Sequence, residues 1–96
     1  MSCEWQEISK KRVLVCQGEF GHMDCEELRK ELLSAIDKNK EVRVDLSGIT
    51  EAGTIFVQVM IAARKSAGAK SLALRVVGLS DPARTAFERV GLEAGG

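Results

Sequence analysis

The stretch Val42-Arg-Val-Asp-Leu-Ser-Gly-Ile-Thr-Glu-Ala-Gly-Thr54 runs straight into the apolar block Ile55-Phe-Val-Gln-Val-Met-Ile-Ala-Ala63, and its reading decides the fold. The β-branched alternation predicts a strand from Glu41 to Leu46, leading into Asp45-Leu46-Ser47-Gly48. A short loop is expected next, then a helix from Thr54 to about Ala67 closed by Gly68. Thr54 stands at the mouth of that helix. Backbone N–H groups left unpaired there carry a positive end-charge that suits a phosphate or another anion.

Outward from this centre, strands and helices alternate. Cys3 to Ile8 reads as an edge strand and Lys10-Lys11 as a turn. Arg12-Val-Leu-Val-Cys-Gln17 reads as a buried strand, with Gly18 and Gly21 bracketing the loop after it. Asp24 is placed to cap the next helix, with Glu27 three residues on completing a capping box. Cys25, Leu28, Leu32, Ala35 and Ile36 recur at helical spacing along it. Ser71 to Val77 reads as the next strand. The last helix starts at Ser80-Asp81-Pro82, proline being favoured at a first helical position, and ends at Gly91-Leu92. The order β-β-α-β-α-β-α predicts an α/β domain, a mixed sheet with helices packed on it, spanning residues 1–96 as one unit.

Composition narrows the function. The chain has 96 residues, 45% of them hydrophobic and 29% charged, with fourteen Lys and Arg balancing fourteen Asp and Glu. That balance argues against nucleic acid as a partner. The aromatic residues are Trp5, Phe20, Phe56 and Phe87, too few for a base-stacking platform. Glu4, Glu7, Lys10 and Lys11 do not resemble a targeting signal, and Ile55 to Ala63 is too short to cross a bilayer, so no direct membrane insertion is expected. The three cysteines are odd in number and lack tight spacing. This disfavours a disulfide framework and favours a reducing compartment, so the cytoplasm is the expected location.

With successive residues about 100° apart on the second helix, Ile55, Phe56, Val59, Met60, Ala63 and Ala67 share the side that covers the sheet. Gln58, Arg64 and Lys65 lie opposite, and Val57 and Ile61 fall among them. Either neighbouring elements cover these two apolar residues or they belong to a partner-docking patch. Chemistry elsewhere is sparse. Cys16, His22 and Cys25 offer three ligands without a fourth, and the two cysteines read as core, so no metal is expected. Glu51 has no carboxylate mate for acid–base work, and no Walker-type phosphate loop is present. Neither a cofactor nor a catalytic residue is assigned.

From Cys16 to Leu92 the chain resembles a STAS domain, the fold of bacterial anti-sigma factor antagonists. Gly18-Glu19, Glu27-Leu28-Arg29, Val44-Asp-Leu-Ser-Gly-Ile-Thr50, Val77-Gly-Leu-Ser80 and Phe87-Glu-Arg-Val-Gly-Leu92 carry the resemblance at matching spacing. In antagonists of this family the loop after the central strand carries Asp-Ser, and the serine is phosphorylated by a kinase that is also the anti-sigma factor. The resemblance puts the aspartate at Gly53 and the phosphoacceptor at Thr54, with Ile55 and Phe56 replacing smaller residues. A second aspartate, after the family's Gly-Glu-apolar triplet, corresponds to Gly21.

The resemblance implies a non-enzymatic interaction module of bacterial signal transduction and transcription regulation, with an anti-sigma factor or serine/threonine kinase-like partner. A homodimer is also compatible with it. Docking is expected through Ser47, Gly53 and Thr54 on the loop and Val57, Gln58, Ile61, Arg64 and Lys65 on the helix. Phosphorylation of Thr54 adds about −1.5 to −2 charge to that surface. The simplest alternative role for Thr54 is capping its helix, worth about 1 kcal/mol. A constitutive accessory subunit of a lipid-transport ATPase, and a small-molecule or nucleotide binder using the Thr54 helix end, are the competing functions.

Overall fold

The structure, a computed structural model, describes residues 2–38 and 40–89. Its elements are β1 (Ser2–Ile8), β2 (Lys11–Phe20), α1 (His22–Asp37), β3 (Val42–Ala52), α2 (Thr54–Ala69), β4 (Leu74–Leu79) and α3 (Asp81–Arg89). The expected order of strands and helices holds. The strands form one mixed sheet in the order β1-β2-β3-β4, with β1 antiparallel to β2 and the other neighbours parallel.

The hairpin turn is Ser9-Lys10 rather than Lys10-Lys11. Both residues have positive φ, 52° and 66°, the backbone hand that matches the twist of a tight hairpin. It pairs Ile8 with Lys11, and every later pair in the hairpin follows from that.

Two strands are longer than their composition suggests. β2 continues through Gly18, which adopts φ 93°, to Phe20. β3 continues through Ser47, Gly48 and Thr50 to Ala52, so most of the expected loop is strand, paired in parallel with Gln17 to Phe20. β3 carries an extra residue relative to β2 at two points, between its partners for Val15 and Gln17 and for Gly18 and Glu19. These bulges turn a two-residue period into a three-residue one. Leu46, Ile49 and Ala52 consequently all pack toward the core.

Asp45 and its neighbours explain the Asp-Leu-Ser-Gly stretch. The Asp45 carboxylate accepts the Ser47 backbone N–H at 2.9 Å. A Cβ at residue 48 would meet Gln17 Cγ at 2.7 Å and Cys16 O at 3.3 Å, so glycine lets the two parallel strands close here without displacing Gln17.

The helix boundaries also shift. Gly21, not Asp24, is the N-cap of α1, and the Asp24 carboxylate reaches back to accept the Gly21 N–H at 3.1 Å. Gly68 lies inside α2. The helix ends where Leu72 N–H reaches Ala67 C=O at 2.8 Å and Ser71 N–H reaches Gly68 C=O at 3.0 Å, with Ser71 at φ 58°. This is a Schellman turn with serine in the left-handed position usually given to glycine. Ser80 Oγ accepts the Ala83 N–H at 3.3 Å at the start of α3, which places Pro82 second in the helix. The expected stop at Gly91-Leu92 and the apolar residue Val90 lie outside the described residues.

One hydrophobic cluster joins Leu14, Cys16, Val44 and Leu46 of the sheet to Leu28 and Leu32 of α1, Phe56 and Met60 of α2 and Phe87 of α3. Phe56 is its hinge, edge-on to Phe20 at 5.6 Å and to Phe87 at 6.1 Å between ring centroids. The helices therefore line one face of the sheet. On the other face Arg43 pairs with Glu41 at 3.0 Å, Arg75 reaches the same carboxylate at 3.2 Å, and Val77 is exposed.

Candidate docking site

Phe20 and Ala52 are register partners at the carboxyl ends of β2 and β3. The next residues, Gly21 and Gly53, are the N-caps of α1 and α2. The two helix starts therefore stand side by side at the strand ends, the edge where open α/β sheets commonly place their working surfaces. Sequence spacing of 32 residues hides this neighbourhood; only the parallel register reveals it. The two positions at which the resemblance places aspartates are thus adjacent, and both lack a carboxylate.

Gly53 has an extended backbone, φ −109° and ψ −171°, which any residue can adopt. A Cβ built on it meets nothing within 4 Å. No side chain caps α2, and its first turn holds no acidic residue. Thr54 is exposed and is the first helical residue, so the capping role expected for its hydroxyl is not what it performs. Its side chain stands in solvent at the positive end of a sixteen-residue helix, where added negative charge is tolerated.

The outward face of α2 differs from expectation, most sharply at two residues. Val57 is fully buried, while Ile55 is 44% exposed. Val57 is therefore excluded from a surface patch. The physical reason is that α2 packs against α1 as well as the sheet, which displaces the buried arc from that of a helix resting on a sheet alone. Ile61 is half-buried against the core and contributes only an edge. Gln58, Arg64 and Lys65 are exposed as expected, and Ala62 joins them. Thr54, Gln58 and Lys65 form a continuous exposed line at helical spacing.

Ser47 is exposed but sits in β3, not in a loop with Thr54. Five strand steps of about 3.3 Å separate it from Ala52, so it stands roughly 15–20 Å from the helix mouth. Near that mouth, Thr50, Glu51 and Ala52 face Asp81, Pro82, Thr85 and Arg89 of α3 across an open cleft of ≈ 490 Å³.

Cys16 and Cys25 are buried apolar members of the core. Among the described residues no group of three His, Cys, Asp or Glu side chains is placed to hold a metal. Sequence spacing did not suggest one further contact: Cys3 and Cys16 are register partners across the hairpin, with sulfurs 3.5 Å apart.

A family model described as "Mlab, STAS domain" matches residues 4–94. The chain belongs to the STAS domain family. Its fold is that of the anti-sigma factor antagonist SpoIIAA in its unphosphorylated form, with a TM-score of 0.81 over 98% of this chain and 84% of that one at 15% identity. A structure described as Mglu is similar over 77% of this chain and 19% of its own length, with a TM-score of 0.65 at 12% identity. No curated protein matches the chain significantly. At these identities the two structures bear on the fold.

Proposed function

We propose that this STAS domain is a non-enzymatic protein-docking module of bacterial regulation, acting as an anti-sigma factor antagonist or a close relative in the cytoplasm. Its docking surface is centred on Thr54 and the exposed line Gln58, Ala62 and Lys65, with Arg64 and Ile61 at its edge. Ser47 and Val57 have no part in it. The observation that carries this reading is the exposed hydroxyl of Thr54 at an uncapped helix start with open space around it. The partner is a protein of the anti-sigma factor or serine/threonine kinase-like class. Phosphorylation of Thr54 places about −1.5 to −2 charge at the centre of that surface. The helix end accommodates the charge, and an apolar or acidic partner face does not.

A second reading is a constitutive accessory subunit, for example of a lipid-transport ATPase. It is favoured by Gly21 and Gly53, which stand where the antagonist pattern has aspartates, and by the bulk of Ile55 beside the acceptor. Both readings use the same face of α2 and differ in whether Thr54 is modified.

Affinity capture from the native lysate tests the shared claim. Thr54→Asp and Lys65→Glu each reduce capture of the wild-type partner at least tenfold with unchanged circular dichroism. Full capture by both variants removes α2 as the docking face. Intact-mass measurement after incubation with the same lysate and ATP separates the two readings. A phosphate on Thr54 marks the switch, and an unmodified chain favours the accessory role.

A further inference from the structure

Cys3 lies on the edge strand β1 and Cys16 on β2, directly opposite in the antiparallel register. Such partners have Cα atoms about 4.5–5.5 Å apart, inside the span that a disulfide bridges without backbone movement. The two sulfurs are already in contact at 3.5 Å. A bond of about 2.05 Å therefore needs only small side-chain rotations.

The two thiols are unequal. Cys16 is fully buried, and Cys3 is partly exposed. Cys3 lines an open groove of ≈ 560 Å³ between β1 and α1, together with Ser2, Glu27, Lys30 and Glu31. A small reagent can reach Cys3 from this groove, whereas Cys16 has no exposed surface. Hydrogen bonding with Cys16 holds the Cys3 thiol below its ordinary pKa, against the opposing effects of burial and of Glu31, Glu27 and Asp24. The same hydrogen bond and burial push Cys16 up. In the structure the Cys3 S–H donates to Cys16 Sγ and the Cys16 S–H to Leu14 C=O. Cys3 ionises first, and its thiolate can then only accept from the Cys16 S–H. This is the arrangement of an attacking thiol backed by a resolving one. Cys25, in contrast, is buried on α1 and has no hairpin partner.

We propose that Cys3 and Cys16 are a reversible dithiol–disulfide site that takes low-molecular-weight disulfides of the glutathione class as oxidant. The Cys3 thiolate attacks one sulfur of the small disulfide, whose S–S bond breaks and releases one thiolate, which takes up a proton. Cys16 then loses its proton and attacks Cys3 sulfur in the mixed disulfide, expelling the second small thiol. Two protein thiols are oxidised by two electrons in all, and one small disulfide is reduced to two thiols. The product staples the edge strand β1 to β2 and leaves the Thr54 face untouched.

Incubation of the full chain with oxidised glutathione tests this directly. The intact mass falls by about 2 Da, proteolysis between the cysteines yields a linked Cys3–Cys16 peptide, and dithiothreitol reverses the change. Cys25→Ser behaves as wild type. Cys16→Ala instead stops at the mixed disulfide, gaining about 305 Da on Cys3. If Cys16→Ala does not fold, Cys3→Ser provides the same control by failing to react at all in the folded state. Wild-type protein that stays reduced, that stops at the mixed disulfide, or that links Cys25 or a second copy overturns the proposal.

Discussion

The carboxylate of Asp45 fills the space that a side chain on residue 78 would need: a Cβ built on Gly78 comes within 2.5 Å of Asp45 Oδ1 and 3.2 Å of Ser47 Cβ. This places two stretches 33 residues apart, Asp45-Leu-Ser-Gly48 and Val77-Gly-Leu-Ser80, in one contact between β3 and β4. Gly78→Ala is expected to destabilise the domain by about 1–3 kcal/mol through overpacking. Asp45→Ala relieves part of that clash, so the double variant loses less than the sum of the singles. Urea denaturation of the four species, followed by the fluorescence of Trp5, the single tryptophan, measures the coupling. Additive losses contradict the contact.

Val57 makes no contact with solvent. Val57→Asp therefore puts an unpartnered carboxylate into the core and costs more than about 3 kcal/mol. Gln58→Asp, one residue away on the exposed line, changes stability by less than about 0.5 kcal/mol. Thermal melts of the two variants distinguish a buried position 57 from a surface one, and similar small shifts in both place Val57 outside.

Gly53→Asp supplies an N-cap carboxylate to a helix that has none, in open space and at a backbone conformation open to any residue. Asparagine, aspartate and serine exceed glycine at this position by a few tenths of a kcal/mol, and removing glycine from the unfolded chain adds about 0.4–1 kcal/mol. Chemical denaturation should show a net gain. A loss of stability would mean that the strand end is more crowded than the structure shows.

Ser71 closes the Schellman turn of α2 at φ 58°. Ser71→Gly relieves a left-handed conformation that costs an L-residue roughly 1 kcal/mol. Part of this is offset by the greater freedom of glycine in the unfolded chain. The expected result is a small rise in melting temperature, whereas Ser71→Val lowers it because β-branching forbids that conformation.

Much of this fold was legible because its signals are local. The apolar run Ile55 to Ala63, the proline near the start of α3 and the β-branched residues of β2 and β3 each point to one kind of element. What was hidden depends on partners distant in sequence. Ser47, Gly48 and Thr50 have the composition of a loop and lie in a strand only because Gly48, Ile49, Glu51 and Ala52 pair with Gln17 to Phe20. Val57 changes sides because α1 flanks α2. Gly21 and Gly53 become neighbours, and Cys3 meets Cys16, only through strand register. The candidate site was legible at Thr54, whose hydroxyl and helix start are read from the chain itself. Gln58 and Lys65 were legible from helical spacing as well, whereas the addition of Ala62 and the loss of Val57 waited on the packing of α2.

Site-specific photo-crosslinking tests the docking claim most directly. A photoreactive phenylalanine analogue in place of Gln58, on the outward line of α2, is compared with the same residue in place of Gln6, which is exposed on β1. Gln6 alternates with Cys3 and Trp5, both packed on the core, so it projects from the opposite face of the sheet. Irradiation in the native cell is predicted to join a partner protein to position 58 and none to position 6, and Thr54→Asp abolishes the product. A partner joined at position 6 and none at position 58 would contradict the account.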